Sequence, residues 1–322
     1  MKTRLRVALV LACMLTASVA GAQQYPSRPI HWVVPYTPGG ITDSVTRIVT
    51  DKLGSALGQP IVIENKPGAN SIVGADSVAR GSADGYSALT VIAAHAANAT
   101  LYAGKLPFDP VKSFAPISLV GVAPLILTVS NDFPAHDMKE LIDYARANPG
   151  KVSFGSSGVG AAAHLTTELF SQTANIQMVH VPYKGTAPAL TALLAGDIQV
   201  LVDVPSSMMP HVRAGKIRAL GLFASRRSPG APEVPTIVEA GGPPVEGSTW
   251  VMFLAPAGTP REIVARLSAE TAKVLAMPEI RARFEQLGVE PGGGTPADAA
   301  RFLEEEIAKW ARVITTAKVK AE

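Results

Sequence analysis

The sequence predicts an α/β protein built as two similar lobes in succession. Short β-rich runs alternate with helical stretches, and a strand, glycine-rich turn and helix occur in that order twice. With 322 residues, 47% of them hydrophobic, the chain has material for one large core or two of ordinary size. The alternation implies parallel sheets with helices on both faces.

The chain opens on Lys2, Arg4 and Arg6, an apolar run from Val7 to Leu15 and the tripeptide Ala20-Gly21-Ala22. That is the pattern of a secretory signal over residues 1–22, with a mature chain beginning near Gln23. The apolar run is shorter than the roughly 18 residues that span a bilayer, so a soluble, exported product is expected. Cys13, the only cysteine, lies inside the signal. Leu11 is bulky for the position two before a lipidated cysteine, and the mature chain then has no thiol for disulfides, nucleophilic catalysis or metal. Without the signal's cations, Lys plus Arg fall from 29 to 26, equal to the 26 Asp plus Glu. A neutral chain without a basic cluster gives no electrostatic case for nucleic acid or an anionic membrane.

The elements follow in order. The strand His31–Val34 runs into a Gly39-Gly40 turn and the helix Asp43–Leu57; the strand Ile61–Glu64 and the helix Ser71–Ala79 come next. The strand Ala88–Ala93 leads to a loop at Ala94–Asn98, and Leu119–Pro124 carries the chain across to a second lobe. That lobe alternates strands Leu125–Val129, Val152–Ser156, Met178–Val181, Val200–Asp203 and Arg218–Phe223 with helices Met138–Ala147, Ala161–Ala174, Ala187–Ala195 and Met208–Ala214. A return between Phe223 and Trp250 leads to the strand Trp250–Leu254 and the helices Pro260–Ala276, Pro278–Gln286 and Pro296–Thr316. The lobes are expected at 23–124 with 225–322, and at 125–224.

A strand ending on Gly39-Gly40 and restarting as a helix aims backbone N–H groups and a positive helix end at one spot, which favours an anion. The turn from Gly155 to Gly160 repeats the theme. Ligands of such sheets bind beyond the carboxyl ends of the strands, so two facing turns would make a cleft.

Enzyme readings fit less well. Gly158-x-Gly160-x-x-Ala163 matches a loose dinucleotide fingerprint, but the next strand ends at Val181-Pro-Tyr-Lys184 without the acidic residue that would hold a ribose. A serine hydrolase would want Gly-x-Ser-x-Gly, and position 159 is Val159. The histidines, at 31, 95, 136, 164, 180 and 211, include no zinc-binding pair at helical spacing. His164 reads as a structural side chain. No catalytic residue, cofactor or metal is expected.

Several segments together carry a family resemblance. They include Tyr25–Ile30 (YPSRPI), Pro35–Asp43 (PYTPGGITD), Leu57–Asn65 with Pro67-Gly68, Asp84-Gly-Tyr86, Phe154–Gly158, Val179–Gly185 (VHVPYKG), Ala214–Leu220 and Gly293–Pro296. In this order, over essentially the whole mature chain, they resemble the Bug-type periplasmic solute receptors of the tripartite tricarboxylate transporter family. The resemblance implies a two-lobed periplasmic binding protein of type II, the Venus-flytrap kind, each lobe a sheet flanked by helices. It implies a monomer that captures a small organic acid ligand and delivers it to membrane permease subunits, without inserting into the membrane itself.

Carried onto this chain, the resemblance places Tyr36, Thr37, Gly39, Gly40, Ile41, Thr42 and Asp43 in the first jaw. Asp43 also reads as a helix cap, since a free carboxylate would repel an anion. Ser156, Ser157, Gly158, Gly160 and Ala161 form the second jaw, with Ala161 where relatives commonly have a hydroxyl. His95 and Asn98 come from a third loop, and Asp203 and Val204 from a fourth, where Val204 replaces a polar residue common in relatives. With Ile41, Ala161 and Val204 apolar and no Lys or Arg in these loops, the expected ligand is an organic acid with an apolar or aromatic body, or a dicarboxylic acid, held by neutral donors and helix ends.

Overall fold

The computed structural model describes residues 25–321. The expected signal, its cleavage site and Cys13 lie outside them. β1 (Ile30–Val34), α1 (Ile41–Leu57), β2 (Ile61–Asn65), α2 (Ile72–Ala79), β3 (Ser87–Ile92), α3 (Ala93–Leu101) and β4 (Phe114–Pro124) come first. After Leu125 follow β5 (Ile126–Ser130), α4 (Met138–Ala147), β6 (Val152–Ser156), α5 (Ala162–Ala174), β7 (Met178–Pro182), α6 (Thr186–Ala195), β8 (Val200–Asp203), α7 (Pro205–Arg213) and β9 (Ile217–Leu222). The chain closes with β10 (Ser248–Pro256), α8 (Arg261–Ala276), α9 (Pro278–Gln286), β11 (Glu290–Gly293) and α10 (Pro296–Ala317).

Two sheets result, in the orders β11-β4-β10-β3-β1-β2 and β7-β6-β8-β5-β9. Both are mixed, which corrects the expectation of parallel sheets. β1 runs parallel to β2 and β3, and β6 to β7 and β8, but β10 is antiparallel to β3 and β4, and β5 to β8 and β9. The cause is the crossing. β4 leaves the first sheet along the direction of β1 and β3, so the returning β10 enters between β3 and β4 against them. The crossing is short and hydrogen-bonded. Leu125, alone between β4 and β5, donates to Gly247 O (3.0 Å), Phe223 donates to Leu125 O (2.8 Å), and Gly247 donates to Phe223 O (2.9 Å).

The first sheet's core continues over one face of the second, through Phe154, Phe170, Val200 and Val202; the other face has its own cluster around Leu193, Ile198, Leu201 and Met208. α1 buries Val45, Val49 and Leu53 at helical spacing, which fixes the face it packs on the sheet, while its place between the parallel strands β1 and β2 puts its N-terminus beyond the carboxyl end of β1. Each such side chain contributes about 1.5–3 kcal/mol on burial. α10 starts in a Thr295–Asp298 capping box and is tied to β10 by a buried Glu306, whose Oε2 accepts from Trp250 Nε1 (2.8 Å) and Trp310 Nε1 (2.9 Å).

Two strands and a helix depart from the sequence reading. β4 occupies the stretch taken for a crossover, and β11 forms from Glu290-Pro-Gly-Gly293. The loop expected at Ala94–Asn98 is α3, which begins directly after β3 without a turn or a side-chain cap.

Candidate functional site

A cleft of about 760 Å³ lies between the two sheets, within the range of small-molecule sites. Its first wall is the turn from β1 into α1. Tyr36, Thr37, Gly39, Gly40, Ile41 and Thr42 line it. Gly40 is the N-cap of α1 and no side chain caps the helix, so its first amides, which have no acceptor inside the helix, stay available to a ligand. Gly39, at φ +85°, makes the turn that brings this backbone to the cleft.

Asp43 does not line the cleft; its carboxylate is spent on holding the turn. It accepts from Gly39 N (3.0 Å), Arg47 Nε (2.9 Å) and Asn65 Nδ2 (2.9 Å), and the same Asn65 amide donates to Tyr36 O (3.0 Å). Burial pushes the Asp43 carboxyl up, but these hydrogen bonds, led by Arg47, outweigh it and hold it below the ordinary range. A charge so occupied repels an incoming anion little.

The opposite wall is the turn from β6 into α5, where Ser157, Gly158 and Ala161 line the cleft together with Ala162 and Ala163. Ala161 is the N-cap of α5, again without a side-chain cap. Ser156 and Gly160 lie behind this wall. Ser156 Oγ is 2.7 Å from His180 Nε2, and Gly160 N donates to His164 Nδ1 at 3.1 Å. Gly160 has φ +79°, and a Cβ there would stand 2.3 Å from Leu101 Cδ1, so the first sheet's α3 touches the second jaw at a position open only to glycine.

The third predicted loop also lies off the cleft, because it is a buried helix. His95 is 1% exposed, bonds Pro110 O through Nε2 (2.9 Å) and stacks on Phe108. Burial pushes its pKa down to about 4, so the ring stays neutral. Asn98 acts one residue removed. It donates to Asn70 O (2.8 Å) and accepts from Asn70 Nδ2 (2.7 Å), and Asn70 lines the cleft. Ala69, Asn70 and Ser71 all have positive φ, a run of left-handed non-glycine residues of the kind that clusters at ligand clamps.

Asp203 and Val204 line the cleft. Asp203 accepts from Thr186 Oγ1 (2.7 Å) and Val204 N (2.7 Å), while burial, the larger effect, pushes its carboxyl up.

Sequence reasoning missed the loop between β7 and α6. Lys184, Gly185, Thr186 and Ala187 line the cleft, as do Ser206 and Ser207 of α7. Tyr183 N donates to Ser156 O (3.0 Å) and Gly185 N to Ser157 O (3.2 Å), which straps this loop to the second jaw. Lys184 corrects the expectation of a cleft without cations; among the described residues it makes no ion pair. The strand, turn and helix around Lys184-Gly185 repeat the theme that marked the other jaws, and that signal was available. α6 and α7 also begin without side-chain caps, at Gly185 and Val204. Four uncapped helix starts therefore meet at one cleft.

This arrangement can bind an anion with backbone donors and a second polar group with Lys184, Thr186 and the serines. Among the described residues no cluster of metal-ligating side chains occurs. Two mixed sheets joined by short crossings around such a cleft define a binding protein of the two-lobed periplasmic class. The model for the tripartite tricarboxylate transporter family receptor matches residues 45–319, and the chain belongs to that family. The chain is 34% identical to Protein BugT of Bordetella pertussis over 321 residues, covering 98% of this chain and 97% of that protein. Among solved structures it resembles R. palustris Rpa4515 with adipate (TM-score 0.84, 36% identity, 92% of this chain and 99% of that one). It also resembles MatC from Rhodopseudomonas palustris with bound malate (TM-score 0.79, 33% identity, 90% of this chain and 100% of that one).

Proposed function

We propose that this protein is a periplasmic receptor, not an enzyme, that closes as a monomer on a small dicarboxylic acid and hands it to the permease of a tripartite tricarboxylate transporter. The observation that carries the reading is the convergence of uncapped helix starts on one cleft beside a cationic side chain. One carboxylate sits between the starts of α1 and α5, held by backbone amides of Gly40 to Thr42 and of Ala162 and Ala163, with Tyr36 over the carbon chain. The other faces Lys184, Thr186 and Ser206. The first sheet and its helices act as one lobe and the second sheet as the other; the segment 225–246, which the sequence assigned to the first lobe, is bound to β9 and moves with the second, so the pivots are Leu125 and Gly247.

Each helix-end contact is worth about 0.3–2 kcal/mol, and micromolar affinity needs about 8 kcal/mol, so several contacts must act together. The solved relatives with adipate and with malate support a diacid. Titration calorimetry with adipate, malate, hexanoate and glutamate tests this. Adipate or malate binding at least tenfold tighter than hexanoate supports the reading; hexanoate binding as tightly as either diacid contradicts it.

A further inference from the structure

Behind the second jaw, outside the cleft, three rings form a stack. Phe154 of β6 lies 4.9 Å from His180 of β7, its register partner, and His180 lies 3.6 Å from His164 of α5, with the two imidazoles 10° from parallel. Neither histidine lines the cleft. Their polar edges are spent on the turn that does. His164 Nδ1 accepts from Gly160 N, which places the hydrogen of the neutral ring on Nε2, and His180 Nε2 meets Ser156 Oγ. Ser156 Oγ in turn donates to Gly158 O (3.1 Å) and accepts from Gly158 N (3.2 Å), so the hydrogen shared with His180 belongs to the imidazole. The chain of donors runs from His180 through Ser156 to the backbone of Gly158, while Gly160 is held from the other side. Gly158 and Ala161, the residues so bracketed, line the cleft.

We propose that His164 and His180 are positioning residues for ligand capture, holding the Ser156–Ala161 turn in the shape that presents the α5 amides to a carboxylate. The proposal rests on the receptor reading of the cleft. An apolar pair would fill the same volume without the desolvation that two buried imidazoles suffer, so the retained polarity is tied to the contacts it makes. Burial, reinforced by His164, pushes His180 down to about 3, which keeps the His180 ring uncharged. The carboxylate nearest His164 is Glu168, at 3.8 Å from Nε2.

The test compares four variants by calorimetry with adipate, with unfolding of the free protein followed in parallel. His164→Asn offers an oxygen near the Nδ1 position, and His180→Gln a donor near Nε2; His164→Leu and His180→Leu offer neither. Adipate affinity within about threefold of the parent for Asn and Gln, and reduced about tenfold or more for both Leu variants that still unfold cooperatively, supports positioning. Equal affinity in the Leu variants overturns it and leaves the receptor reading standing, whereas no adipate binding by the unaltered protein fails that reading instead. If the Leu variants do not fold, nitrogen NMR of the histidine-labelled parent decides. Both rings in the Nε2–H form, with resonances that move on saturation with adipate, support the proposal. An Nδ1–H form at His164, or rings unmoved by adipate, overturns it.

Discussion

Ala161→Asp separates helix stability from ligand binding. Ala161 is the N-cap of α5 in extended conformation (φ −62°, ψ 151°), the geometry a capping side chain needs, yet it offers none. An Asp there accepts from the free amides of the first turn and should add about 0.5–2 kcal/mol to the free protein. In a chain of this size that raises the melting temperature by a few degrees. The same carboxylate occupies the amides assigned to the ligand and adds a like charge about 4 Å from it, about 4 kcal/mol at an effective dielectric of 20. Affinity for a carboxylate should then fall on the order of a thousandfold. Differential scanning calorimetry of the free protein and titration calorimetry with adipate read the two effects. A variant that binds adipate as tightly as the parent refutes the placement of the carboxylate at α5.

The other predictions concern separate parts of the molecule. Gly40→Leu should leave stability nearly unchanged, since a Cβ there meets only Thr37 O at 3.9 Å, but should abolish adipate binding; unchanged binding by calorimetry removes the first jaw from the site. Lys184→Gln should weaken diacids about tenfold, a charge-assisted bond of about 1.5 kcal/mol, and leave monoacids unaffected, with the difference shrinking at high salt. Glu306→Leu leaves two buried indole N–H groups without an acceptor and should cost about 2–6 kcal/mol by denaturant unfolding, without altering the affinity of whatever remains folded. Stability should also fall with acid. His95 and His180 titrate near 6.5 when unfolded and near 4 and 3 when folded, so the unfolded chain binds more protons over that interval. Their contribution is complete above about pH 6.5 and is lost as pH falls towards 4 and 3. A His95→Gln variant should show a flatter decline of melting temperature between pH 6.5 and 4.

The first and second jaws were legible because their signal is local. A short strand, a glycine turn and the start of a helix sit within twenty residues, and no distant partner is needed to recognise them. What lay outside local pattern was missed. β4 contains Pro116, Gly121 and Pro124, which read as breaks until β10 pairs with it across the sheet. α3 follows β3 with no capping side chain or turn residue, so His95 and Asn98 were taken for loop residues when tertiary packing makes them part of a buried helix. Strand direction is not written in any single segment, which is why the sheets were expected to be parallel. Lys184 is the exception: its loop carries the same local strand, turn and helix pattern, and the bonds from Tyr183 and Gly185 back to Ser156 and Ser157 fix it to the wall. Of the two kinds of ligand expected from the sequence, its presence favours the dicarboxylic acid over an acid with only an apolar body.

Where a bound carboxylate lies decides whether the two jaws act together. A crystal structure of the protein with adipate should place one carboxylate within about 2.7–3.2 Å of backbone amides from both the α1 and the α5 helix starts. The other carboxylate should be on the side of Lys184. A carboxylate held by one sheet's residues alone, or seated away from both helix starts, would contradict it.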